Sequence, residues 1–352
     1  MRIVVLYGGF SNERDVSFAT GVMVAKSLRK NHDVALVDMF LGVSDKDTFD
    51  DLSKSKIDNN LLIVSDEIPD YLDLINRRVY KTNSIIGKNV LKICTQCDLV
   101  FLALHGDNGE DGKIQAALDL LGVPYTGSDY LASTLAMNKN LTKILVKSVG
   151  VRTPDWEYVF IKNEKYISEK IKSVTLPVVV KIPDSGSSVG VYIARNIDDL
   201  RKSLMINIGK NVIIEQFISG REVQMAFLKD RALPSIEIIS NSDFYNYSSK
   251  YQKGIAKEIT PANITSEQEK NMGEMLMKIV TSLNLYTYSR ADFIIDNEGK
   301  IWFIEINSLP GMTSTSLVPQ EALAANISFD ELCEIIIQDG INRRVGLDKY
   351  IN

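Results

Sequence analysis

The chain has 352 residues, 45% of them apolar and 24% charged, which is the composition of a soluble globular protein and more length than one hydrophobic core usually organises. Acidic residues outnumber basic ones 45 to 40, so the totals offer no basic surface for nucleic acid, and no apolar run nears the roughly 20 residues that span a bilayer. The opening Met1-Arg2-Ile3-Val4-Val5-Leu6-Tyr7-Gly8-Gly9 reads as a first strand rather than a signal peptide, so a cytoplasmic protein without membrane insertion is expected.

Residues 3–7 and 34–39 are apolar and residues 16–28 have helical spacing, the alternation of a parallel sheet with helices on its faces. Between them Gly8-Gly9-Phe10-Ser11-Asn12-Glu13 turns at the end of the first strand, where open α/β sheets tend to place ligands. It is not the G-x-G-x-x-G fingerprint, and the two glycines alone also suit a plain tight turn. Residues 44–89 are charged and irregular and carry no recognisable chemistry; they decorate the sheet or contribute to a subunit contact. Cys94, Cys97 and Cys333 form no framework of pairs, and neither His32 nor His105 is placed to complete a zinc site, so packed thiols are expected.

Residues 98–104 give another buried strand, followed by His105-Gly106-Asp107-Asn108-Gly109-Glu110-Asp111-Gly112, in which Asp111 is a candidate cap for a helix starting near Lys113. His105 ends its strand on the same sheet edge as Glu13, and a structural role and a functional one are both open. Pro124 to Ser128 reads as a linker. Residues 130–149 are helical, with Asn138 as a break. A strand at 156–160 and a helix-like stretch at 164–172 then lead to Pro177-Val178-Val179-Val180-Lys181. A lysine ending a run of valines is costly to bury unpaired, so Lys181 either emerges or meets an anion. Asp184-Ser185-Gly186-Ser187-Ser188-Val189-Gly190 follows, a tip whose N–H groups and hydroxyls could fold over phosphates, with Lys139 as a second cation; an ordinary glycine–serine turn would look the same. Residues 212–222 enter a glycine turn and a second strand at 223–228, the kind of seam in which adenine rings lie. A polar aromatic loop at 244–251 has the character of a lid, and a helix covers 266–283.

The stretch 289–316 folds as a hairpin, with strands at 293–295 and 301–304 around Asn297-Glu298-Gly299. Strand alternation puts Glu305 and Asn307 on one face, and folding brings Asp292 within a residue or two of Glu305. Two close carboxylates raise each other's pKa unless a cation lies between them, and these oxygen donors suit magnesium; a hairpin with a solvated polar face has the same pattern.

Taken in order, Glu13 after its glycine turn, His105-Gly106 with Gly109-Glu110-Asp111-Gly112, Lys181 with Gly-Ser-Ser-x-Gly, Lys250-Tyr251, Arg290-x-Asp292, Glu305-x-Asn307 and Pro310-Gly311-Met312-Thr313-Ser314 resemble the D-alanine:D-alanine ligases of the ATP-grasp superfamily. The resemblance implies an α/β protein of three domains: an N-terminal parallel α/β (pre-ATP-grasp) domain at 1–126, a central ATP-grasp subdomain at 127–214 and a C-terminal one at 215–352. It implies an ATP-dependent joining of two D-alanine molecules through an acyl phosphate for peptidoglycan, in a cytoplasmic homodimer. Asp292, Glu305 and Asn307 would hold two magnesium ions, with manganese as a substitute. Lys139, Lys181, Ser188 and Val189 would meet phosphates, and Glu215, Gln216, Ile218 and Glu222 adenine and ribose. Glu13 and His105 would take the first D-alanine; Lys250, Ser316 and Leu317 the carboxylate of the second; Arg290 and the Gly311 N–H the oxyanion. Glu13, Ser187 and Tyr251 would close the site as a hydrogen-bonded set.

Departures from the family pattern are small: Ile182 stands where proline usually follows the lysine, Asn138 replaces an aspartate and Ala116 a glycine. Tyr251 goes with dipeptide-forming members rather than D-lactate users. A D-alanine:D-serine ligase or another ATP-grasp dipeptide ligase stays open, as does a non-catalytic nucleotide-binding protein, although the latter would have no need of Arg290.

Overall fold

The computed structural model describes residues 1–65, 69–186, 190–240 and 256–342. Its first sheet is parallel, in the order β2-β1-β3, from Arg2–Tyr7 (β1), Asp33–Asp38 (β2) and Leu99–Leu102 (β3). The helix Arg14–Leu28 follows β1 and packs against the sheet, as its apolar spacing predicts. The segment expected to be a linker belongs to this sheet instead. Tyr125 bridges Val100 in parallel, Thr126 N–H donates to the Val100 carbonyl at 3.0 Å, and Thr126 Oγ1 accepts from Leu102 N–H at 3.0 Å. Without it the outer edge of β3 would leave buried backbone groups unpaired. The helix Lys113–Leu121 is preceded by Gly112 at φ +88°, and Asp111 accepts from Lys113 N–H at 3.2 Å from one position before the cap. Cys94 and Cys333 are buried free thiols, and burial pushes the Cys97 thiol up to about 11, in keeping with packing rather than redox chemistry.

The second sheet is antiparallel, β4-β7-β5-β6, made of Trp156–Phe160 (β4), Val178–Lys181 (β5), Tyr192–Ala194 (β6) and Asn211–Gln216 (β7). The helices Glu164–Lys170 and Ile197–Met205 close its core. Asn138 divides the 130–149 stretch: it ends the helix Tyr130–Met137 and starts Lys139–Ser148, its side chain accepting from Leu141 N–H at 3.1 Å.

The third sheet runs β11-β10-β8-β12-β13, from Gly220–Leu228 (β8), Arg231–Ala232 (β9, paired to β8), Ile236–Ser240 (β10), Ala256–Ile259 (β11), Tyr288–Asp296 (β12) and Ile301–Asn307 (β13). The expected hairpin is β12 and β13, and it is no isolated ribbon, since β12 also pairs β8 along its whole length. One face packs on the helix Ser266–Leu283 through Phe293, Phe303, Met225 and Leu276. At the other end of the sheet, Ala226, Leu228, Tyr288 and Leu309 share one core with the N-terminal sheet and the helix Phe329–Asn342.

Between the β9 and β10 pairings the β8 ladder has a gap at Ala226, whose N–H donates to Glu321 Oε1 at 2.9 Å from the helix Leu317–Ala324. Glu321 is fully buried, its Oε2 has no hydrogen-bond partner among the described residues, and burial pushes its pKa up to about 8. The unfolded chain ionises this group near the ordinary 4.5 while the folded one keeps its proton, so stability falls as pH rises from there to about 8. Glu321→Gln retains the acceptor and removes the ionisation. Its thermal midpoint relative to the unsubstituted chain is expected to rise steadily between about pH 5 and pH 8; a difference independent of pH in melts across that range would refute the buried acid.

Candidate active site

Two adjoining cavities lie where the sheets meet. One of about 90 Å³ is lined by Glu13, His105, Glu110, Arg290, Asn307, Gly311, Ser316 and Leu317. The other, of about 530 Å³, lies along the β7–β8 crossover and is lined by Lys181, Glu215, Gln216, Ile218, Glu222 and Asp292. Lys139 and Glu305 line both.

Strand register sets the wall between them. Arg290 stands opposite Asn307 and Asp292 opposite Glu305, so all four side chains share one face of the hairpin. Arg290 Nε and Nη2 donate to the two oxygens of Asp292 at 2.9 and 3.2 Å. Burial works against the guanidinium charge, but Asp292, with Glu321 and Glu305 behind it, outweighs burial and holds the pKa above its ordinary value. Lys139 Nζ lies 3.3 Å from Glu305 Oε2 and donates to the Ser185 carbonyl at 2.6 Å. The solvated-face alternative therefore does not describe this hairpin, for Asp292 is only 6% exposed.

Lys181 meets an anion, the second of the two outcomes open to it. It pairs with Glu215, whose other oxygen lies 2.8 Å from Lys143 Nζ; Lys143 also donates to Thr153 Oγ1 at 2.6 Å. Burial alone would raise the Glu215 pKa, but the two lysines outweigh it and the net shift is downward. Lys143 was not anticipated; the available signal is its place one helical turn after Lys139.

Glu13 precedes the helix Arg14–Leu28, and its Oε2 lies so near Gly106 and Gly186 that a Cβ on either would sit 2.8 or 2.9 Å away. Its loop is pinned: Arg14 donates to the Gly9 carbonyl and pairs with Asp38, while Ser17 Oγ accepts from Gly8 N–H at 2.8 Å and donates to the Ala103 carbonyl at 2.6 Å. His105 is buried, and burial lowers its pKa to about 4, so the imidazole is neutral. Its Nε2 lies 2.9 Å from Thr20 Oγ1 and its Nδ1 3.1 Å from the Leu309 carbonyl. Glu110, also missed, accepts from Gly106 N–H at 2.7 Å; burial and then Glu13 raise its pKa to about 8. A carboxylate inside a glycine-rich loop that caps no helix was the signal for it. Gly311 approaches Ser316 so closely that a Cβ would meet its Oγ at 2.7 Å. Ser187, Ser188, Val189, Lys250 and Tyr251 lie outside the described residues.

Among the described residues no three His, Cys, Asp or Glu side chains are grouped to bind a metal. The candidate set is two carboxylates and an amide, Asp292, Glu305 and Asn307, on one face of the hairpin, with Asp292 and Glu305 lining the larger cavity and Asn307 the smaller. Hard oxygen donors whose present partners are cations suit a divalent ion such as magnesium.

The models for the D-ala D-ala ligase N-terminus and C-terminus match residues 2–128 and 145–338. The chain is 38% identical to the D-alanine–D-alanine ligase of Pediococcus pentosaceus, covering 96% of this chain and 97% of that protein. It is 36% identical to that of Aquifex aeolicus, covering 96% and 100%. Among solved structures, the Bacillus anthracis D-alanine–D-alanine ligase complexed with ATP superposes with a TM-score of 0.74 at 27% identity, covering 100% and 99%. The VanG D-Ala:D-Ser ligase of Enterococcus faecalis gives 0.72 at 27% identity, covering 96% and 98%. The architecture of a parallel α/β unit followed by two antiparallel sheets is that of the ATP-grasp fold. The chain belongs to the D-alanine–D-alanine ligase family.

Proposed function

We propose that this protein joins two D-alanine molecules into a dipeptide, with ATP converted to ADP and phosphate, and so supplies peptidoglycan synthesis. The observation that carries the reading is Arg290. One edge of its guanidinium is fixed on Asp292, and its residue lines the small cavity that also holds Glu13 and Gly311, next to a cavity large enough for a nucleotide. A pure nucleotide-binding module has no use for such a donor.

ATP would occupy the larger cavity, adenine and ribose against Glu215, Gln216, Ile218 and Glu222, phosphates toward Lys139 and Lys181. Asp292, Glu305 and Asn307 would hold magnesium, with manganese as a substitute, which offsets the charge of the phosphates when bound. Glu13 would receive the ammonium group of the first D-alanine and leave its carboxylate near the nucleotide. A carboxylate oxygen attacks the γ-phosphorus, the bond to ADP breaks, and an acyl phosphate forms; the free amine of the second D-alanine attacks the acyl carbon, and phosphate departs as the amide forms. Arg290 and the Gly311 N–H are fixed donors for the oxyanion of that second step. Ser316, Leu317 and Lys250 would hold the second carboxylate. Ser187, Ser188 and Val189 would cover the phosphates, and Tyr251 would shut out water, which otherwise hydrolyses an acyl phosphate. We read 1–126, 127–214 and 215–352 as the three domains of a cytoplasmic homodimer.

Purified protein with ATP, magnesium and D-alanine alone is expected to release phosphate and form the dipeptide. Adding D-serine should give little mixed product; absence of phosphate release with D-alanine alone would overturn the reading. Arg290→Ala is expected to lower kcat by about 100-fold or more, the loss typical of one oxyanion donor. Its ATP affinity, followed by nucleotide titration, should change little, and unimpaired turnover would remove Arg290 from its role.

A further inference from the structure

We infer that His105 and Thr20, both from the N-terminal part of the chain, form a hydrogen-bonded clamp that closes around residues 309–312 and positions the Gly311 N–H. The inference rests on the oxyanion role proposed for that amide. Three contacts make the clamp: Met312 N to Thr20 Oγ1 at 3.4 Å, Thr20 Oγ1 to His105 Nε2 at 2.9 Å, and His105 Nδ1 to the Leu309 carbonyl at 3.1 Å.

The ends of this chain fix its direction. A backbone N–H can only donate and a carbonyl can only accept. Met312 N–H therefore donates to Thr20 Oγ1, the threonine hydroxyl donates to Nε2, and the imidazole must carry its proton on Nδ1 to donate to Leu309. One side chain pair thus holds the loop on both flanks of Pro310-Gly311. Proline has no N–H, which leaves Gly311 as the one amide between the two anchors, and among the described residues it has no hydrogen-bond partner. His105, Thr20, Leu309 and Met312 are all buried, so each contact is made away from water, where an unmade one is costly. A neutral, doubly engaged imidazole has no charge to offer a substrate. His105 is thus a positioning residue whose tautomer is set by the Leu309 carbonyl and completed by the Thr20 hydroxyl.

Nitrogen NMR of the full chain reads the tautomer directly, because the protein has only two histidines, His32 and His105, and His32→Gln assigns them. His105 is expected to show the Nδ1–H form between about pH 6 and pH 8. An Nε2–H or doubly protonated ring overturns the clamp whether or not the protein turns over D-alanine. Steady-state kinetics with ATP and D-alanine give the second test. Thr20→Val should lower kcat by roughly 10- to 100-fold, as a misplaced reacting group does, with the KM for ATP within about twofold. Thr20→Ser restores the hydroxyl and should restore most of kcat. His105→Asn should fall to a similar kcat, and adding Thr20→Val to it should cost little more, because a chain broken at one link has nothing further to lose. Wild-type kcat in Thr20→Val, no recovery in Thr20→Ser, or additive losses in the double variant would each overturn the clamp. A wild-type protein inactive toward D-alanine but with His105 in the Nδ1–H form would instead count against the proposed reaction.

Discussion

Buried charge is the constraint on which this site is built. Arg290, Lys181, Lys143 and Lys139 have little contact with water, and each is paired: Arg290 with Asp292, Lys181 and Lys143 with Glu215, Lys139 with Glu305. Removing one partner from such a pair costs several kcal/mol, on the order of 3–5, because the other is left uncompensated. The side chains proposed to meet the phosphates and the reacting carbonyl are therefore held in place by one another. Entry of a polyanion into the larger cavity need not create order; it exchanges partners. On the proposed reading, Lys139 would turn from Glu305 to a phosphate as a cation takes its place at that carboxylate, which would tie the binding of nucleotide and of magnesium into one event.

A shared core makes that arrangement span the molecule. Leu309 and Met312 share one core with Leu104, just past the end of β3, and with Val318 of the helix Leu317–Ala324. The loop carrying Gly311 is thus anchored apolar side inward, and the polar contacts of His105 and Thr20 need only choose its orientation. Glu13 arrives from the same N-terminal unit, its loop held by Arg14 and Ser17. Groups from residues 13 and 105 therefore meet those from 290 and 311 around one cavity without any local sequence signal for the meeting.

That difference explains what the sequence revealed. The placement of Asp292 against Glu305, the break at Asn138 and the β5–β6 pairing were legible because strand period, capping chemistry and turn composition are local rules. The order of widely spaced motifs added the family and with it the architecture. Lys143 against Glu215, Glu110 against Glu13 and Glu321 against Ala226 were not legible, since each partner lies about 70 residues or more away and pairing is decided by packing. Tyr125 was misjudged for the same reason: a proline–glycine stretch marks a loop locally, but the open edge of β3 captures it.

The two acids missed in the sequence complete the electrostatics of Arg290. Glu110 and Glu321 both feel its charge, and burial, joined at Glu110 by Glu13, raises both well above the ordinary carboxylate range and favours their protonated forms. Arg290 then has Asp292 as its anionic partner at hydrogen-bond distance, which fixes two of its nitrogens. Were both acids ionised, their charge would add to that of Asp292 and Glu305 around one guanidinium, and the oxyanion proposed for this cavity would be repelled. In the oxyanion role proposed for Arg290, keeping those carboxyls neutral by burial would matter as much as the donors themselves.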